Sequence, residues 1–157
     1  FDQSLCQDND MIARAYANGV PMGGDLVSGP KALMPTFLAY AAKDPEGSQL
    51  QALHLIKGWI GEDGSMNNEV ISIAETQSGA DSLCRVYVDE NFDPRQSAYY
   101  YLRAVEPPSP RWHTYDCKVI AEDQRPAVCI DNSYPSDIVE MAWTSPIWYR
   151  GVDFLPE

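Results

Sequence analysis

The sequence predicts a mainly β protein, an antiparallel β-sandwich of immunoglobulin-like type with one short N-terminal helix and long loops. Three observations carry this. Short apolar and aromatic runs alternate with turn residues, and twelve Pro and ten Gly keep those runs short. Nine Tyr, four Trp and four Phe supply large side chains that suit a pleated, half-buried surface. No run approaches the ~20 apolar residues of a membrane helix. At 157 residues the chain has room for one domain, able to remove roughly 70% of its unfolded surface from water.

Taken in order, Asp10 is placed to cap a helix over Met11–Ala17, with Gly19 expected to supply a left-handed stop. Residues 20–30 read as turn material. Thr36–Ala42 reads as a strand, ended by the turn Lys43-Asp44-Pro45-Glu46-Gly47. In the next run Leu53, Leu55, Lys57 and Trp59 alternate with Ala52, His54 and Ile56, so both faces are largely apolar and a strand packed on two sides is expected. A helix is the competing reading there. Glu62-Asp63-Gly64-Ser65 is a hairpin-type turn that returns through Glu69–Ala74. Leu83–Val88, Ala98–Glu106, Val139–Trp143 and Ile147–Tyr149 are the later strands. Between Arg111 and Asp137 strand signals are few, so a short helix or a long loop tied down by cysteines is expected.

The formal charge of −12, from 23 acidic and 11 basic residues, sets the chain against nucleic acid, whose phosphates would be repelled. It leaves two readings, plain solubility in a periplasmic or saline medium and a cation-binding acidic face. Asp89, Glu90, Asn91 and Asp93 are the concentrated oxygen donors. They lack the Gly and distal Glu of an EF-hand loop, which favours a solvated Asx-rich turn.

Cys6, Cys84, Cys117 and Cys129 include no C-x-x-C pair, and His54 and His113 stand far apart, so no zinc motif is formed. Four cysteines in a loop-rich acidic chain suit disulfides and an oxidising compartment, periplasmic or extracellular, with three connectivities open; free buried thiols are the alternative. In an exported chain Cys117–Cys129 would close the strand-poor loop, and Cys6–Cys84 would tie down the N-terminal segment.

Neither H-E-x-x-H, G-x-S-x-G nor a P-loop occurs. Gly23-Gly24-Asp25 follows a helix rather than a strand, which argues against a phosphate cradle. His54 reads as a structural histidine inside a strand. His113 reads as exposed, with no constellation around it. Along residues 99–106, Tyr99, Tyr101, Arg103 and Val105 share one face. An Arg in so apolar a strand needs a carboxylate or a partner surface, and Glu106 and Arg111 flank the rigid turn Pro107-Pro108-Ser109-Pro110 within reach of such pairing, with Trp112 beside them. Arg103, Glu106, Arg111 and Trp112, together with Asp25, are the candidate substrate-binding or domain-interface residues. The catalytic residues are not identifiable, and no metal ligand is named.

Three phrases carry a family resemblance. They are Gly19-Val20-Pro21-Met22-Gly23-Gly24-Asp25-Leu26; Phe92-Asp93-Pro94 with Tyr99 through Trp112; and Ala142-Trp143-Thr144-Ser145-Pro146-Ile147-Trp148-Tyr149. They resemble the C-terminal region of the bacterial domain-of-unknown-function family 3604. The last phrase is also similar to the closing strand of carbaryl-hydrolase-like metallohydrolases of the polymerase-and-histidinol-phosphatase (PHP) type. Pro107 and Met141 depart from the family pattern. The resemblance implies residues 1–157 as a single C-terminal sandwich, a fragment of a larger secreted protein whose upstream part holds a divalent metal. This fragment itself would carry no cofactor. Its expected partner is the upstream domain of its own polypeptide. A free-standing acidic binding or scaffold module, recruiting cations or a protein assembly partner, is the alternative.

Overall fold

The computed structural model describes residues 1–27, 34–131 and 134–151. A 3-10 turn over Gln3–Gln7 leads into α1 (Met11–Asn18), and β1 is the short Asp25–Leu26. Strands β2 (Thr36–Ala42), β3 (Leu50–Ile60), β4 (Met66–Ala80), β5 (Ser82–Val88) and β6 (Ala98–Val105) form the body of the fold. The chain then passes through β7 (Ser109–Pro110), α2 (Trp112–Val119), two 3-10 turns, β8 (Asp137–Ile138), β9 (Met141–Trp143) and β10 (Ile147–Tyr149).

The main sheet has the order β1-β10-β6-β3-β4, with β9 also pairing β6. All its pairings are antiparallel except β1 with β10. A second layer is the two-stranded ribbon β2-β5, narrower than the three- or four-stranded second sheet of an immunoglobulin sandwich. A third, minimal ladder joins β7 to β8. The fold is thus the expected mainly β sandwich, with uneven layers.

Period-two alternation decides which face of β3 and β6 meets the ribbon. Leu53 and Leu55 from β3, Ala98 and Tyr100 from β6, and Ile73 and Tyr149 pack against Phe37 and Ala39 of β2. Leu53 is wholly buried, and the Phe37 and Tyr100 rings lie 4.6 Å apart between centroids. Fully burying each such side chain contributes about 1.5–3 kcal/mol. The strand reading of 50–60 therefore prevails over the helical one. A helix would scatter these leucines around its axis, whereas the pleat puts them all on one side.

Local chemistry sets the turns. At the β3–β4 hairpin Gly64 takes φ of 79°, and Asp63 Oδ1 accepts from the Ser65 amide at 2.9 Å. The Lys43 ammonium donates to the carbonyls of Asp44, Pro45 and Gly47, locking the turn after β2. At Asp81 the chain bends from β4 in the main sheet into β5 of the ribbon, so one continuous segment joins both layers.

Two details at the helix differ from expectation. The Asp10 side chain makes no capping hydrogen bond; Asp8 Oδ1 accepts from the Asp10 amide at 2.8 Å, and Asp8 pairs with Arg14. Gly19 is extended, with φ of −138°, rather than left-handed. It lies close to the Phe1 side chain, where a Cβ would sit 2.7 Å from the tip of the ring. Residues 20–30, expected to be all turn, include β1; the part from 28 onward lies outside the described residues.

Both disulfides form. Cys6–Cys84 joins the N-terminal 3-10 turn to β5, and Cys117–Cys129 closes the loop from the end of α2 through the two 3-10 turns that follow. Both the short helix and the tied loop expected between Arg111 and Asp137 are therefore present. Such cysteine usage is typical of chains that fold in an oxidising compartment.

Candidate functional site

The face of the main sheet turned away from the ribbon carries two of the five candidate residues, Arg103 and Asp25. Registers define its rows. Asp25, Trp148, Tyr99, Gly58 and Asn68 lie in one row from β1 to β4. Four residues further along β6 (from 99 to 103), Ser72, His54, Arg103 and Trp143 make another. Between them stand Val70, Ile56 and Tyr101. Tyr99 stacks on Tyr101 at 6.3 Å and meets Trp148 at 5.7 Å between centroids. Gly58 is required here, since a Cβ would lie 2.2 Å from the Tyr99 ring. The glycine lets an aromatic ring lie flat across the strand.

Arg103 meets His54 rather than a carboxylate. Its Nη2 donates to His54 Nδ1 at 2.9 Å, and its buried Nε has no acceptor among the described residues. Burial and then the adjacent guanidinium hold the His54 pKa below its ordinary 6.5, with Glu75 acting weakly the other way. The pairing of Arg103 or Arg111 with Glu106 expected from sequence is not formed: among the described residues neither arginine has an ion pair. The proline turn carries the chain away instead. The Glu106 amide donates to Glu140 O at 3.0 Å, while Arg111 donates through its amide to Ser136 O and through Nε to Asp137 O. Trp112 is exposed at the start of α2 and stands edge-on to the His113 ring at 5.7 Å. The five candidates therefore separate. Arg103 and Asp25 lie on the sheet face, whereas Glu106, Arg111 and Trp112 follow β6 and precede the Cys117–Cys129 loop. Asp25 has Arg150 Nε at 3.8 Å, a loose exposed pair of small energetic value.

The acidic run 89–93 is not simply a solvated turn. Asp89 is 1% exposed. Its Oδ2 accepts from Lys57 Nζ at 2.6 Å and from the Tyr100 hydroxyl at 2.8 Å, and its Oδ1 accepts from the Asn91 amide. Lys57, 4% exposed, also donates to Asn91 O and lies 5.8 Å from the Trp59 and Tyr100 ring centres. Burial, followed by the hydrogen bond to Asp89, drives the Tyr100 hydroxyl pKa far above its ordinary 10.0. The run was expected to stay in water because isolated carboxylates do. Its first member finds a buried ammonium on the facing layer while keeping an Asx turn to the Asn91 amide, and Asp93 makes a second Asx turn, accepting from the Arg95 amide at 2.9 Å. Lys57 was visible as the one charged residue on the inward face of β3, but nothing local named its partner 32 residues on.

Gly23 and Gly24 serve the chain path. Gly23 has φ of 88° and donates to Pro146 O at 3.0 Å, while Gly24 O accepts from the Trp148 amide. A Cβ on Gly24 would strike Val20 at 2.6 Å. These glycines seat β1 against β10, and their amides are not aligned at a helix start.

A largely apolar cavity of about 870 Å³ lies between α1 and the sandwich, with Tyr16, Val20, Met22, Phe37, Leu102 and Ile147 in its walls. Among the described residues no three His, Cys, Asp or Glu side chains are grouped to hold a metal ion. No helix among them is long and apolar enough to cross a membrane.

Neither a curated protein nor a solved structure matches the chain. The model of the family described as Protein of unknown function (DUF3604) matches residues 1–78 and 74–151. Those two segments cover nearly the whole chain, the disulfide framework and both rows of the aromatic sheet face included, and the chain belongs to the DUF3604 family.

Proposed function

We propose that this chain is a noncatalytic, or at most substrate-lining, C-terminal β-sandwich of a secreted, periplasmic or extracellular PHP-like metal-dependent hydrolase. It would dock on the upstream part of its own polypeptide. The observation that carries the reading is the outer sheet face. Trp143 is 61% and Trp148 49% exposed there, beside Tyr99, Tyr101 and the cation of Arg103. Aromatic residues and arginine at the centre of a flat surface are the composition of a binding interface. The divalent metal of such a hydrolase is assigned to the upstream part. The described residues do not group into a site for it.

What this domain would supply is a rigid, disulfide-anchored wall, and any bound substrate would meet aromatic rings and a guanidinium that are already held in place. The test uses Arg103→Ala and Trp148→Ser in the isolated chain and in the full-length protein. The isolated variants are expected to melt close to the parent, because both side chains sit on the outer face. The full-length variants are expected to lose domain docking or turnover. A full-length protein unaffected by either change would overturn the reading in favour of a free-standing acidic module.

A further inference from the structure

We propose that the His54–Arg103 pair on the outer sheet face is a recognition site for a carboxylate attached to an apolar or aromatic group. The inference goes beyond domain docking and is tested on this chain alone. It starts from the register, which places Ser72, His54, Arg103 and Trp143 side by side on four neighbouring strands.

An arginine has donors and no acceptor, so the 2.9 Å contact fixes roles. Arg103 Nη2 donates, His54 Nδ1 accepts, and the His54 proton sits on Nε2. The pair then offers N–H groups only. Arg103 Nε is buried and out of a ligand's reach, which leaves the Nη groups and His54 Nε2 as the donors, and no carboxylate lies within ion-pair distance of the guanidinium among the described residues. The nearest acidic influence on His54 is Glu75, which is engaged by the Ser72 hydroxyl. A cluster of donors with one uncompensated positive charge calls for an acceptor carrying one negative charge. A carboxylate fits that description better than a phosphate dianion, which would leave a second negative charge on a strongly acidic molecule. Trp143, directly across from Arg103 and largely exposed, supplies a flat wall against which the ligand's apolar part can lie.

The carboxylate could belong to a free small acid or to a Glu or Asp side chain of a protein segment, and the experiment separates the two. Benzoate, its neutral isostere benzamide, and the blocked peptide acetyl-Trp-Glu-amide are titrated into the intact, disulfide-bonded chain. The readouts are the His54 ring resonances and Trp fluorescence. Benzoate is expected to shift the His54 ring and to bind at least tenfold tighter than benzamide. Arg103→Gln is expected to weaken benzoate at least tenfold. Trp143→Ala is a second variant that keeps the charge and should weaken benzoate several-fold. A peptide tenfold tighter than benzoate would identify a protein segment as the source; benzoate equal to or tighter than the peptide would identify a free acid. If benzoate and benzamide move the His54 ring alike, or neither moves it, the proposal is wrong.

Discussion

Lys57→Met is the sharpest test of how this fold is held. The change removes the ammonium that lies 2.6 Å from Asp89 Oδ2 and keeps a side chain of similar length. Asp89 would then be a carboxylate at 1% exposure, left with the Tyr100 hydroxyl and the Asn91 amide as donors. Breaking a buried pair from one side costs about 3–5 kcal/mol, because the remaining charge is stranded. For a chain of this size 1 kcal/mol moves Tm by about 2–4 °C, so a fall of roughly 6–20 °C is expected. Urea unfolding with the disulfides intact, followed by Trp fluorescence, measures the loss. The triple variant Lys57→Met, Asp89→Leu, Tyr100→Phe removes every polar side chain of the cluster, leaving only the Asn91 backbone groups, and should recover most of it. A single variant that loses less than about 1 kcal/mol, or a triple variant no better than the single, would refute the picture of a stranded charge.

Other outcomes follow from the same structure. Tyr100 has a raised pKa in the folded state, so the unfolded chain releases that proton first. Stability should hold below the ordinary tyrosine value of 10.0 and fall above it, by up to about 1.4 kcal/mol per pH unit, and Tyr100→Phe should flatten the fall. Reducing Cys117–Cys129, which spans 12 residues, should cost about 3 kcal/mol, and reducing Cys6–Cys84, which spans 78, about 4.5 kcal/mol on the loop-entropy model. Mass spectrometry of the unreduced chain that found four free thiols would contradict both. Gly58→Ala drives a methyl into the Tyr99 ring; an expected loss of about 1–3 kcal/mol should appear in thermal melts and largely vanish when Tyr99 is also made Ser.

Much of the fold could be read from single residues, because it rests on local chemistry. Thr36–Ala42 was bounded by its turn, the 62–65 hairpin by Gly64, and both cysteine pairs by where loose chain needed fastening. What escaped depends on distant partners. β1, β7 and β8 are two residues each and exist only because another strand lies beside them. Asp89 reads as solvent-exposed until the ribbon brings it against Lys57. The candidate site was legible in part for the same reason. Alternation placed Arg103 on a face with Tyr99 and Tyr101, as found, but its partner was sought along the chain at Glu106. The partner is His54, 49 residues away on the adjacent strand.

The two faces of the main sheet then make opposite statements about what the protein does. On the inner face the buried charges are closed off. Lys57 reaches Asp89 and Asn91, Asp89 takes Tyr100, and the cluster bridges both layers of the sandwich with its polar atoms matched. Such a cluster serves stability, since binding a ligand there would mean breaking the tie. On the outer face Ile56 and Val105 are buried, at 4% and 7% exposure, beneath neighbouring side chains. Around them Trp143, Trp148 and Val70 stay open to solvent, and the guanidinium of Arg103 keeps a buried N–H without an acceptor among the described residues. Strands apolar on both sides are characteristic of sheets covered on both sides. The ribbon covers one, so the chemistry of the other, aromatic rings around a cation without a carboxylate, describes what a second cover would have to bring. It would present flat apolar surface and at least one negatively charged oxygen.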